Sequence, residues 1–107
     1  MPMAPFDEMT RHASEAAALL KALAHPERLM VLCQLVDGEK GVGELLAHSK
    51  LGQSAFSQQL AVLRRSGLIR SRKVAQQIYY SLANEAAADV LAVLQTHFCH
   101  SQEDEVS

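Results

Sequence analysis

Two cysteines stand far apart in this chain. Cys33 lies inside the apolar run RLMVLCQLV, and Cys99 lies in THFCH near the other end. A pair of thiols can do redox chemistry. One thiolate attacks a persulfide, a polysulfide or a peroxide, and the second thiol resolves the product into a disulfide or a longer polysulfur bridge. Free cysteines are also commonly small buried hydrophobes, and that reading stands beside the reactive one. A plain disulfide requires Cα atoms within about 7 Å, so the fold must decide. His97 and His100 flank Cys99, with Asp89 upstream and Glu103 downstream. They assemble at most part of the four-ligand set of a closed Zn²⁺ site. Two surface histidines near a helix C-terminus are the simpler reading, and no metal or other cofactor is expected.

A second group of residues offers recognition. Gln53, Ser54, Ser57 and Gln58 are short polar donors and acceptors, followed on the same segment by Arg64 and Arg65. Arg70, Arg72 and Lys73 come soon after, and then Gln76 and Gln77. Gln and Ser side chains at the start of a helix can reach base edges in a major groove, and cations can lie along phosphates. Each piece alone is an ordinary solvated surface. Charge distribution ties them together. Between Glu44 and Glu85 there is no acid, and that interval is net +6 within a chain of net −2, leaving −8 elsewhere. Such segregation marks one face for a polyanion in a protein that is acidic overall.

These groups need a scaffold. Apolar residues make up 49% of 107 residues, enough for the core of one domain spanning 1–107, with residues 1–5 and 101–107 expected to be disordered. The first fifteen residues carry no apolar stretch of a secretory leader, and no run reaches a membrane span, so a cytoplasmic protein without a membrane role is expected. In a reducing cytosol a redox-active thiol pair is allowed and a structural disulfide is not expected.

The pattern is helical from about 6 to 24. Met9, Ala13, Ala16, Leu20 and Leu23 form a narrow stripe like that of a pairing helix. Pro26 opens a second helix over 26–36, with Leu29, Leu32, Cys33 and Val36 on one face. A third covers about 43–48, with Leu45 and Leu46 inward. A fourth runs from 53 to 66, N-capped by Gly52 and stopped by Gly67, with Phe56, Leu60 and Leu63 facing the core. LIRSRKV and QIYYSL read as two strands joined by a loose tip, because VAQQ has no glycine for a two-residue turn. Asn84 caps a last helix whose stripe is Ala87, Leu91, Leu94 and Phe98. The fold class is therefore mainly α with a small β-hairpin, in the order α-α-α-α-β-β-α. Two short helices joined at a Gly turn and followed by a basic hairpin make a winged helix-turn-helix.

The segments ALAHPERLMVL, GVGELL, SQQLAVLRRSGLI and IYYSL resemble the ArsR/SmtB family of winged-helix repressors over about residues 13–99. The resemblance implies a homodimer through the first and last helices and a pseudo-palindromic double-stranded DNA operator. The family's cysteine pair of the third helix is missing from GELLAHS, and its ligand set on the last helix is incomplete. One cysteine in RLMVLC and one in HFC, with the wing tip KVAQQ, resemble instead the reactive-sulfur and redox-sensing branch of SqrR/BigR/HlyU-like repressors. That resemblance implies that Cys33 and Cys99 face each other within one subunit, and that reactive sulfur or oxidant is the effector. A metal-responsive repressor, a thiol enzyme and a protein-binding winged helix are the alternatives. A thiol enzyme would want a CxxC motif or an activated nucleophile in a cleft, and the sequence offers neither.

Overall fold

The computed structural model describes residues 5–99. The N-terminal lead, save Pro5, and the C-terminal tail with His100 and Glu103 lie outside the described residues. Eight elements follow one another: α1 (Pro5–Leu23), α2 (Pro26–Leu35), β1 (Lys40–Gly41), α3 (Val42–Ala47), α4 (Gln53–Arg65), β2 (Ile69–Val74), β3 (Gln77–Leu82) and α5 (Glu85–Phe98). Pro5, expected in a disordered lead, is instead the first residue of α1. No helix among the described residues is long and apolar enough to cross a membrane.

Local chemistry sets the boundaries. His25 takes an extended backbone and its Nδ1 accepts from Glu27 N, capping α2 with Pro26 in the first turn. Asn84 caps α5 by accepting from Ala87 N at 2.9 Å. The end of α4 is a Schellman motif. Gly67 sits at φ +75°, Gly67 N donates to Arg64 O, and Leu68 N donates to Leu63 O. Leu63 and Leu68 are both buried, so the motif also turns the chain into the sheet with an apolar contact.

The hairpin is more than a pair of strands. β1 pairs antiparallel with β3, Lys40 opposite Tyr80 and Gly41 opposite Tyr79, giving the sheet order β1-β3-β2. The tip also departs from expectation. Val74 pairs with Gln77, so Ala75 and Gln76 form a two-residue turn. Ala75 carries the positive φ of +56° that glycine usually supplies. Six cross-strand pairs fix the register on either side, and they hold one alanine in a disfavoured conformation.

Phe56, Leu60 and Leu63 of α4 are buried as their spacing predicts, together with Leu45, Leu68, Ile69, Tyr80, Ala87 and Leu91. On α2 the deepest residues are Val31, Leu32 and Leu35. Leu29, Cys33 and Val36, expected to lead, are half-buried at the rim. The stripe of α1 is mostly unburied within the subunit: Met9 is 56% exposed and Leu20 55%, and only Leu23 enters the core.

Gly67→Ala is expected to lower the unfolding free energy by about 1 kcal/mol, because a side chain at that φ is strained even in open space. Gly43→Ala, inside α3 with nothing near the added Cβ, should raise it by roughly 0.5–1 kcal/mol. Urea unfolding of the two variants checks both, and the opposite signs separate backbone strain from packing.

Candidate functional site

The helix-turn-helix is α3, the turn 48–52 and α4. Ser49 holds the turn: its hydroxyl donates to Glu27 Oε1 at 2.7 Å, and its oxygen accepts from Leu51 N at 3.0 Å. Phe56, Leu60 and Leu63 turn one face of α4 into the core. Gln53, Ser54, Ser57, Gln58, Arg64 and Arg65 therefore stand exposed on the other. The first turn of α4 carries no acid, so no carboxylate there would repel an anion from its unpaired backbone N–H groups. These are the positions that the sequence reading assigns to base edges and phosphates.

The wing divides its cations. Arg70 and Arg72 project from the same face of β2, opposite Ser81 and Tyr79. Arg70, Lys73, Gln76 and Gln77 are exposed. Arg72 has another partner. It grips Glu39 with two hydrogen bonds of 2.7 and 2.8 Å, and its guanidinium lies 5.4 Å from the centre of the Tyr79 ring. The hydrogen bond from Arg72 holds the Glu39 carboxyl below its usual range, and the same bond raises the Arg72 pKa. The sequence makes Arg72 a phosphate ligand. In this structure it fastens β2 to the loop before β1, and a phosphate would have to compete with a bidentate carboxylate. Glu39 escapes the sequence reading because it lies outside the acid-free interval and meets Arg72 only across the sheet.

The two cysteines are brought together. Cys33 is half-buried on α2, Cys99 is the exposed C-cap of α5, and both are free thiols. Burial raises the Cys33 pKa above that of a free cysteine, and the charge of neighbouring Cys99 raises it further. A hydrogen bond with the Gln95 side chain works in the opposite direction. Gln95 and Cys99 thus meet Cys33 from one side of α5, as residues four apart on a helix do. Gln95 is not among the residues that the sequence singles out, although its i, i+4 spacing to Cys99 was the available signal. No cation is among the causes of the Cys33 shift. Among the described residues, no three His, Cys, Asp or Glu side chains gather in a group that could hold a metal ion.

Alkylation should report this environment. Only the thiolate reacts. Cys33 is therefore expected to react with iodoacetamide more slowly than Cys99 at neutral pH, with a pH midpoint above that of a free cysteine. Removing the Cys99 charge with Cys99→Ser should move the Cys33 midpoint down, and Gln95→Ala should move it up. Mass-resolved alkylation rates across pH check each sign.

Comparison with known proteins agrees with the geometry. Residues 25–71 match the family described as "Bacterial regulatory protein, arsR family". The biofilm growth-associated repressor of Agrobacterium fabrum is 46% identical over 100 residues, covering 94% of this chain and 86% of that protein. The crystal structure of the transcriptional repressor BigR from Xylella fastidiosa superposes with a TM-score of 0.83 at 45% identity, covering 92% of this chain and 100% of that one. The structure of reduced HlyU from Vibrio cholerae gives a TM-score of 0.82 at 43% identity, covering 87% and 98%. The winged helix-turn-helix, its exposed polar helix face and these likenesses carry one conclusion: the chain belongs to the arsR family of DNA-binding transcriptional regulators, and it is not an enzyme.

Proposed function

We propose that the protein is a homodimeric repressor that binds a pseudo-palindromic operator when reduced and releases it when Cys33 and Cys99 are linked. The observation that carries this reading is the approach of Cys99 to Cys33, close enough for the charge of one thiol to raise the pKa of the other. The dimer would form through α1 and α5. Phe6, Met9 and Leu20 on α1 and Val93 and Phe98 on α5 are all more than half exposed, an apolar surface that a second copy would cover. Two-fold symmetry then presents two α4 helices to successive major grooves.

The switch needs a sulfur or oxygen oxidant. Cys99, the exposed thiol, attacks as thiolate. With a hydropersulfide RSSH it takes the outer sulfur and releases the thiolate RS⁻. The Cys33 thiolate then attacks the inner sulfur of the Cys99 persulfide and expels HS⁻. The products, after protonation, are the disulfide, the thiol RSH and hydrogen sulfide. With peroxide, Cys99 becomes a sulfenic acid, and Cys33 displaces water to give the same bridge. Further sulfur transfer gives a longer bridge that spans a wider gap. Either bridge ties α5 to α2. α2 packs against α4, so the bridge acts on the angle between the two reading heads. A coupling of about 2–3 kcal/mol lowers DNA affinity by roughly 30- to 150-fold.

Intact mass after anaerobic treatment of the reduced protein with polysulfide, and separately with peroxide, tests the reading. A gain of whole sulfur atoms or a loss of two hydrogens, together with loss of DNA binding, is expected. Cys33→Ser should keep DNA binding and lose the response; release of DNA by this variant on treatment would defeat the model. On the DNA side, Arg64→Ala should weaken binding to all sequences and flatten the salt dependence. Gln58→Ala should mainly relax sequence preference. An equal loss on selected and random duplexes for the Gln58 variant would remove it from base reading.

A further inference from the structure

One side chain outside the thiol pair and the DNA face ties its own helix to two others. Arg28, in the first turn of α2, donates through Nε to Ala22 O at 2.7 Å and through Nη2 to Lys21 O at 3.2 Å. Both acceptors are carbonyls of the last turn of α1, where the helix's own bonding runs out; Lys21 O also accepts from Ala24 N at 3.2 Å, so Arg28 adds a second donor there. The third bond goes elsewhere: Nη1 donates to Gln59 Oε1 on α4 at 2.9 Å. The planar fork of a guanidinium suits this task, because its N–H directions are fixed relative to one another. A lysine could make any one of these bonds but could not hold three acceptors in one plane.

We infer that Arg28 is a positioning residue. It locks the azimuth of the recognition helix α4 to the end of α1 through Gln59, and so carries the state of α2 and α1 to the base-reading face. Three facts support this. Gln59 sits directly beside Gln58 in the chain, yet it is half-buried while Gln58 is exposed, and its oxygen is turned inward to Arg28. Glu27, the residue before Arg28, accepts from Ser49 in the turn that leads into α4, so the first turn of α2 grips the helix-turn-helix at two places. Cys33 lies on the same helix as Arg28. A bridge that moves α2 therefore pulls on Gln59 by a charge-assisted hydrogen bond, the stronger kind. This last link rests on the dithiol reading; the positioning role does not.

The test uses the reduced full chain and a duplex selected by it from a randomised DNA library, with a random duplex as control. Gln59→Met keeps the length of the side chain and removes the acceptor. It is expected to lower the ratio of selected to random affinity about tenfold, the loss spread evenly over the contacted base pairs. Arg28→Met should do the same, and the double variant should lose no more than about tenfold, because both changes break one link. An unchanged ratio for Gln59→Met, a loss confined to one base pair, or a hundredfold loss in the double variant would overturn the inference. The melting temperature of each variant guards against misfolding; if Arg28→Met does not fold, the base-pair profile of Gln59→Met decides alone. A second arm compares reduced and polysulfide-treated forms. The wild-type difference in affinity should shrink toward none in Gln59→Met. A full response in that variant refutes the link from α2, whereas no response in the wild type refutes the dithiol reading and leaves the reduced-protein result standing.

Discussion

The burial of Val31, Leu32 and Leu35 in one core with Leu45, Phe56, Leu60 and Leu63 fixes where the recognition helix stands. α4 has no independent stability to spare. Thirteen residues are marginal as an isolated helix, and its solvent face is mostly polar. It exists as a helix because three side chains at i, i+4 and i+7 leave water together, each contributing roughly 1.5–3 kcal/mol of transfer free energy. The same burial orients the polar face outward. Packing against α2 therefore sets the direction in which Gln53, Ser54, Ser57 and Gln58, the proposed base readers, stand exposed, and a displacement of α2 would be felt there. Interiors pack at crystal-like density, so such a displacement is not absorbed gradually.

Electrostatics adds a second layer with a different range. Lys50, Arg64, Arg65, Arg70 and Lys73 would give the proposed binding face its sign, since residues 45–84 hold no acid; Glu39 is brought back to the wing, onto Arg72. At physiological salt their field extends about 8 Å, enough to gather a phosphate backbone at short range and no further. Arg72 belongs to a shorter-range system. Bound to Glu39 and lying near the Tyr79 ring, it ties β2 to the loop before β1 and so restrains the wing that carries Arg70 and the tip. Phosphate contacts that position a protein are useful only when the cations are themselves positioned.

The sequence revealed those parts of the molecule whose causes are local. The α4 stripe, the Gly67 stop and the Asn84 cap each depend on neighbours within a few residues, and each stands where periodicity and capping placed it. The parts it hid are made by distant partners. β1 is two residues long and has no period to detect; it exists because β3 offers an edge at Tyr79 and Tyr80. The tight tip is imposed on Ala75 by the register of the strands, against the local preference that VAQQ suggested. Glu39 and Arg72 are 33 residues apart, and Arg28 and Gln59 are 31. A charge count along the chain cannot see such pairs. The thiol pair was legible only through a family resemblance, since nothing in RLMVLC or HFC says that these two segments meet.

α5 joins the two halves of the proposed mechanism in one helix. Gln95 and Cys99 share the side that meets α2, while Val93 and Phe98 carry the exposed apolar surface that a second copy would cover. Phe98 is the last residue of α5 and Cys99 its extended C-cap, so the two adjoin in the chain although Phe98 is 77% exposed and Cys99 meets Cys33. A bridge from Cys99 to Cys33, as proposed, would draw the end of α5 inward and swing Phe98 with it. In the proposed dimer the thiol site and the subunit contact would thus be linked at the last turn. In the proposed mechanism that link would let the thiol pair act on the dimer although, among the described residues, no cation offsets the raised pKa of Cys33. The chemistry would need only to be slow and specific, with Phe98 as the lever on the dimer and the hydrogen bond from Arg28 to Gln59 as the proposed route to the DNA face.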